Sequence, residues 1–504
     1  MYKRLTSFLI LAVAVLVPAS VAAQSFEELR NQMRSEFASQ QDLMRKQYRE
    51  AREKMNREFA EALGKPWQRV DAVTPEDRMT TLPDYPPVYD DDDDDIVSEG
   101  TETVVSEENV FLEEDSLQPQ PQPAVPVFFE EKTDQISLFV DYFNAPCAVH
   151  FNPSQKVLLA DSSEQSVKQM WNELSGVEYD NLLADCIAIR EELSLCDWGY
   201  LLLTEAVSKV VYDNEEEADS RVALQAFLMN QTGYKIRLGR DENSKLHLFV
   251  ASADRILERT YWCKDDSYYY IADDSGVDII YFSIGLFPYE KELRMRMDNA
   301  MTLGGEQSPS RMLQSLLHKD VKADVSVDMN LMSFFADYPI PYIGSDTSTA
   351  WYFYANTPIS QSVKDMLYPG LETSIKGKTK VEAVQVLLNF VQTALKYKTD
   401  AEVWGEERYF FPEETLYYQY CDCEDRAILF SRIVRDLLGL DVLLVYYPNH
   451  LATAVHIPED CPGDKLIYNG DKYVICDPTI LSGSSVGKTM KDCDNSTADI
   501  IVLN

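Results

Sequence analysis

Glu413-Glu414-Thr415-Leu416-Tyr417-Tyr418-Gln419-Tyr420-Cys421-Asp422-Cys423-Glu424-Asp425-Arg426-Ala427 is the stretch from which the fold of this chain is read. Ala427, Phe430, Val434, Leu437 and Leu438 continue it at helical spacing and stop at Gly439. That spacing predicts a helix from about Glu424 to Leu438 with a glycine end. Cys423 then stands at or just before the first turn. Unpaired N–H groups there favour a thiolate and offer donors to an oxyanion. Glu424 and Asp425 suit the helix dipole, but their charge opposes a thiolate. Activation is therefore expected to come mainly from an imidazolium partner. Cys421 is the competing thiol; it lies further from the helix and gains less, so Cys423 is preferred. Gln419 is the candidate side-chain donor to the oxyanion, and Trp404 is a second one.

Outward from that helix, Asp441 to Tyr447 reads as a strand, Pro448-Asn449 as a turn and His450 to Ile457 as the next strand. His450, Ala452, Ala454 and His456 share one face, and His450 stands at the rim. Tyr473 to Cys476 reads as a returning strand after the Asn469-Gly470 turn. Antiparallel pairing would bring Asp477, in Cys476-Asp477-Pro478-Thr479, beside His450, where it could hold the imidazole tautomer. Nucleophile, base and orienter in this order are the parts of a thiol-dependent acyl-transfer site. Two other readings stay open. Cys421, Cys423, His450 and Cys461 are ligand types suited to a structural zinc. Alternatively the three residues are vestigial, in a non-catalytic binding or scaffold protein. The favoured reading needs no metal and no cofactor.

The chain has 504 residues and a formal charge of −38. That charge argues against nucleic acid and against docking on anionic lipid, because both need a basic surface. Residues 1–24 read as a signal peptide: Lys3 and Arg4, then the apolar run Phe8 to Val17, then Val21-Ala22-Ala23 before Gln24. The run is short for a membrane span, so no stable membrane insertion and a periplasmic or secreted location are expected. The 9 cysteines are odd in number, which in an exported chain points to one free thiol, although buried reduced cysteines fit equally.

Residues 25–66 read as a long amphipathic helix, with Phe26, Leu29, Met33, Phe37, Met44, Tyr48, Met55, Phe59 and Leu63 along one stripe. It either packs on its own domain or serves as an arm for self-association through 26–63. Residues 67–127 read as an acidic, proline-rich disordered linker. From Met79 to Glu131 there are 16 carboxylates and no Lys or Arg. Residues 128–320 read as a mixed α+β domain of unknown role, and 321–378 as a β-rich connecting segment around Trp351-Tyr352-Phe353-Tyr354. Thr379 and Glu382 form a capping box that opens the last domain, 379–504. The fold class expected is α+β and multidomain.

The last domain resembles the transglutaminase-like superfamily, in particular its bacterial cysteine-proteinase-like branch. The family pattern is Gly-Asp-Cys-Glu-Asp opening a helix, often after Glu-Thr-Leu, then a histidine that begins a strand, then Asp-Pro-Thr. This chain has Glu414-Thr415-Leu416, Cys421-Asp422-Cys423-Glu424-Asp425, His450 and Asp477-Pro478-Thr479. Cys421 replaces the usual glycine, and Ala452 stands where an aromatic commonly follows the histidine. The resemblance implies a papain-like α+β core with Cys423 as nucleophile, His450 as base and Asp477 as orienter. The expected activity is acyl transfer on protein or peptide amide bonds, with hydrolysis favoured over amine crosslinking.

Overall fold

A computed structural model describes residues 26–73, 96–97, 100–111, 127–176, 179–273, 277, 279–448, 450–491 and 493–504. The signal-like segment 1–24 and most of the acidic run lie outside the described residues. The chain is α+β and divides into two units, one ending at Glu58 and the other running from Phe59 to Asn504. The helix Phe26–Leu63 contains neither glycine nor proline to interrupt it. Met33, Phe37, Leu43 and Met44 are exposed on it. In the second unit its last turns are core, with Phe59, Ala60 and Leu63 buried and Trp67 Nε1 donating to the Leu63 carbonyl at 2.8 Å.

The linker expected over 67–127 is corrected at both of its described ends. Gln68–Asp71 is an edge strand, antiparallel to Ile279–Phe282 in a six-stranded sheet with Ile236–Arg240, Leu246–Ser252, Ser267–Ile271 and Tyr261–Lys264. Helices Glu164–Gly176, Asp180–Glu192, Asp197–Val211 and Ala218–Gln231 supply much of the adjoining core.

The β-rich connection expected over 321–378 is also corrected. Two short strands are there: Lys322–Val325 pairs with Arg311–Gln314 across the expected boundary at 320, and Pro341–Tyr342 pairs with Arg255–Ile256. The remainder is chiefly helical: Met329–Ala336, Ala350–Asn356 and Gln361–Ile375. Asp328 caps the first of these by accepting from Asn330 N at 2.9 Å and Leu331 N at 3.3 Å. Trp351, Tyr352, Phe353 and Tyr354 are buried on every side of a short helix, which removes any periodic signal and leaves only their strand-like composition to be read.

The helix Lys380–Ala394 starts at the Thr379/Glu382 capping box, as the sequence predicts. Beyond it, the helix Cys423–Leu438 packs on a curled sheet of seven strands. Their order is Glu102–Val104, Lys465–Tyr468, Asp471–Cys476, His450–His456, Val442–Tyr447, Asp499–Val502 and Val110–Phe111. The two outermost strands come from the supposed linker. Glu102–Val104 runs parallel to Lys465–Tyr468 at one edge, and Val110–Phe111 runs parallel to Asp499–Val502 at the other. Val105 and Val110 pack on the sheet face that the helix does not cover. An acidic composition hid this strap, because edge strands need little apolar area and tolerate charge.

Candidate functional site

Cys423 is the first residue of its helix, and it is wholly buried. The turn before it is held by Asp425, whose two oxygens accept Asp422 N and Phe410 N, each at 3.2 Å. Upstream, Glu414 accepts from Phe411 N at 3.1 Å and from Arg408 Nη2 at 3.0 Å. The Glu414-Thr415-Leu416 motif thus buttresses the approach to the helix rather than facing it.

His450 begins its strand opposite Tyr447, and its ring stacks over that tyrosine at 6.3 Å. Its Nε2 lies 2.8 Å from Asp477 Oδ2. The other carboxylate oxygen accepts Thr479 N at 2.9 Å, and the Asp477 carbonyl accepts Gln392 Nε2 at 2.7 Å. The antiparallel pair Thr453 to Cys476 sets this meeting, because it leaves the end of one strand beside the start of the other. Arg426, one turn along the helix from Cys423, donates to the carbonyls of Gln392, Leu395 and Pro478. The Cys423 helix, the end of the Lys380–Ala394 helix and the aspartate loop are therefore tied together by a single buried guanidinium.

Cys423 belongs to the same buried cluster as Leu451, the residue next to His450. Its own hydrogen-bond partner is Glu424, with Sγ donating to Oε2 at 3.1 Å. Among the described residues no hydrogen bond joins the sulfur to the imidazole. Leu451 and Val455 face the helix core, whereas Ala452 and Ala454 pack on the opposite sheet face. Nδ1 is the imidazole edge not used by Asp477.

The helix N-terminus does not lower the thiol pKa here. Burial, and then the Asp422 carboxylate, push Cys423 well above the ordinary thiol range. One partial charge at a helix end cannot offset full desolvation inside an acidic cluster. Burial likewise raises the carboxyls around it: Asp400 to about 8 and Asp422 to about 7, with Glu424 and Asp425 well up. Asp400, Glu407 and Glu424 bring ligand oxygens within 4.8 Å of one another, as do Asp400, Asp422 and Asp425. These are hard oxygen sets of the kind a divalent cation takes. The zinc set is not assembled: among the described residues, Cys421, Cys423, His450 and Cys461 do not gather as ligands. Cys421 instead donates to the Lys396 carbonyl at 3.7 Å, and among the described residues no disulfide joins two cysteines.

No family model matches this chain, and no curated protein matches it. Among solved structures, it is similar to a protein from Parabacteroides distasonis described as a putative protease, at 13% identity and a TM-score of 0.14. The match covers 50% of this chain and spans 61% of the length of that one. A superposition at that level does not define a shared fold.

Gln419 is exposed, and it lines a cleft of about 380 Å³ with Arg311, Tyr417 and Val325, outside the buried surroundings of Cys423. Trp404 packs on Arg408, Phe410 and Tyr418. The residues around the sulfur that sequence reading missed are Tyr397, Asp400, Glu407 and Arg426. One signal was available. Asp422 to Arg426 are consecutive charged residues around a cysteine on a helix that must be buried, so their charges had to be answered by neighbours.

Proposed function

We propose that this protein is a thiol-dependent acyl-transfer enzyme that hydrolyses amide bonds of protein or peptide substrates. The observation that carries the reading is the Asp477–His450 hydrogen bond at 2.8 Å, on the sheet against which the helix that begins at Cys423 packs. With Nε2 engaged, Nδ1 is the nitrogen that takes the thiol proton once Sγ turns from Glu424. Such contacts often tighten only when substrate is bound. The sulfur then attacks the carbonyl carbon, the C–S bond forms and the carbonyl π pair moves to oxygen. Collapse of this intermediate breaks the C–N bond, and the imidazolium returns its proton to the leaving amine. Water then attacks the acyl carbon as His450 takes its proton, the C–S bond breaks to release the acid, and the imidazolium returns the proton to the thiolate. The basic start and apolar run between Lys3 and Val17 support an exported site of action.

A second reading, a non-catalytic module, draws on the complete burial of Cys423 and its raised pKa. One experiment separates the two. Parent and Cys423→Ala proteins are incubated with a proteome-derived peptide pool, and new termini are read by mass spectrometry. Cleavage by the parent and none by the folded variant supports the enzyme. Equal cleavage by both, or none by either, overturns it.

A further inference from the structure

Tyr397 carries a buried hydroxyl with no hydrogen-bond partner among the described residues. Such a group costs stability, on the order of 1–3 kcal/mol for a donor left unmade. Its place in the fold is fixed from two sides. The short parallel pair Lys396–Tyr397 with Tyr420–Cys421 sets Tyr397 opposite Cys421, two residues before the nucleophile candidate. The Arg426 guanidinium lies 5.6 Å from the centre of its ring. Arg426 is three residues after Cys423, so both project from the same side of the first helical turn. The ring is thus clamped at the mouth of the helix, and burial, then the neighbouring Cys423, Asp422 and Glu424, push its phenol up. Burial and that acidic company keep the phenol protonated, hence a donor.

The first N–H groups of any helix lack intrahelical acceptors, and Cys423 and Glu424 are the first residues of this one. Gln419, the side-chain donor expected from sequence, lies instead on an exposed cleft. Resting on the thiol-enzyme reading above, we propose that Tyr397 is a catalytic hydrogen-bond donor: its hydroxyl, with the first N–H groups of the Cys423 helix, binds the oxyanion formed when the sulfur adds to a carbonyl. The missing acceptor in the resting protein is then the oxygen that appears only during the reaction. This is the arrangement that stabilises a transition state more than a ground state.

Two small probes separate this role from a structural one. p-Nitrophenyl acetate acylates a thiol through a tetrahedral oxyanion, whereas iodoacetamide alkylates it by direct displacement with none. Both rates at Cys423 are measured by peptide mass spectrometry in the full-length parent and in Tyr397→Phe, with the exposed Cys263 as internal reference. The proposal expects acylation of Cys423 to fall by at least about tenfold, since losing one oxyanion donor costs on the order of 10²–10³. Alkylation should stay within about twofold. If both rates hold, or both fall together, Tyr397 does not serve the oxyanion. If Cys423 in the parent is acylated no faster than Cys263, the nucleophile reading itself fails and takes this proposal with it.

Discussion

His450 Nε2 and Asp477 Oδ2 lie 2.8 Å apart, inside the protein, at the meeting of two strand ends. The geometry assigns the Nε2 proton to that bond and leaves Nδ1 as the acceptor. Asp477→Asn would reverse this. An amide presents N–H to Nε2 and forces the proton to Nδ1, where it blocks transfer from the thiol. We expect acylation of Cys423 by p-nitrophenyl acetate to fall by ~10²–10⁴, as loss of a triad aspartate does elsewhere. Thermal stability should change little, because an asparagine oxygen can still accept Thr479 N. Unchanged acylation in the folded variant would remove Asp477 from the proposed chemistry.

Asp422 precedes the sulfur and, after burial, is the main reason that its thiol is hard to ionise. Asparagine caps a helix as well as aspartate does and carries no charge. Asp422→Asn should therefore lower the Cys423 pKa, and each unit of lowering gives about tenfold more thiolate at a fixed pH below it. The check is the pH profile of iodoacetamide alkylation at Cys423, which should move to lower pH. A profile that stays in place would mean that desolvation alone sets the thiol.

The buried carboxyls make stability fall as pH rises. Burial raises Asp400 to about 8, Asp422 to about 7 and Glu414 to about 7, all above their values in an unfolded chain. The folded state therefore binds more protons than the unfolded one. The cluster's contribution is complete below about pH 4, where both states are protonated, and it is lost as pH climbs through 7 to 8. Between the unfolded and folded pKa values, each such group removes about 1.4 kcal/mol per pH unit. Melting temperatures from pH 5 to 9, with a chelator present so that protons are the only neutraliser, should decline in the parent. They should decline less steeply in Asp400→Asn. Parallel slopes would show that Asp400 does not hold a proton in the folded state.

Much of this site could be read in the sequence because its parts sit at element ends, where local chemistry and periodicity agree. Gly439 terminates the Cys423 helix in a left-handed conformation. The strand running to Cys476 pairs antiparallel with the one that starts at His450, so Asp477 meets the imidazole. Long-range burial was not readable. Arg426 looks like a surface helix residue, yet it is wholly enclosed by carbonyls brought from positions 392, 395 and 478. The rise of the Cys423 pKa follows from the same enclosure, which no local pattern encodes. Trp351 to Tyr354 misled for the opposite reason: residues buried on all sides carry no period, so aromatic composition stood in for one.

The strap offers a further test, because a segment with the composition of a spacer is expected to act as a structural part. Asp464 anchors its start: Oδ1 accepts Thr101 N at 2.9 Å and Thr101 Oγ1 at 3.0 Å, while Oδ2 accepts Thr489 Oγ1 at 3.2 Å. From there the chain pairs with one edge of the sheet, crosses its outer face with Val105 and Val110, and pairs with the other edge. Asp464→Ala leaves these donors without their acceptor, which should cost ~1–3 kcal/mol. The loss should be local before it is global. Amide exchange at 101–105 and 110–111 should speed up at pH 7, while amides of the Cys423 helix keep their protection. Released edges also expose unpaired N–H and C=O groups, so the variant should self-associate at concentrations where the parent does not. Exchange that rises uniformly across the C-terminal sheet would mean that the strap and the sheet open as one unit, and the separate anchoring role of Asp464 would be wrong.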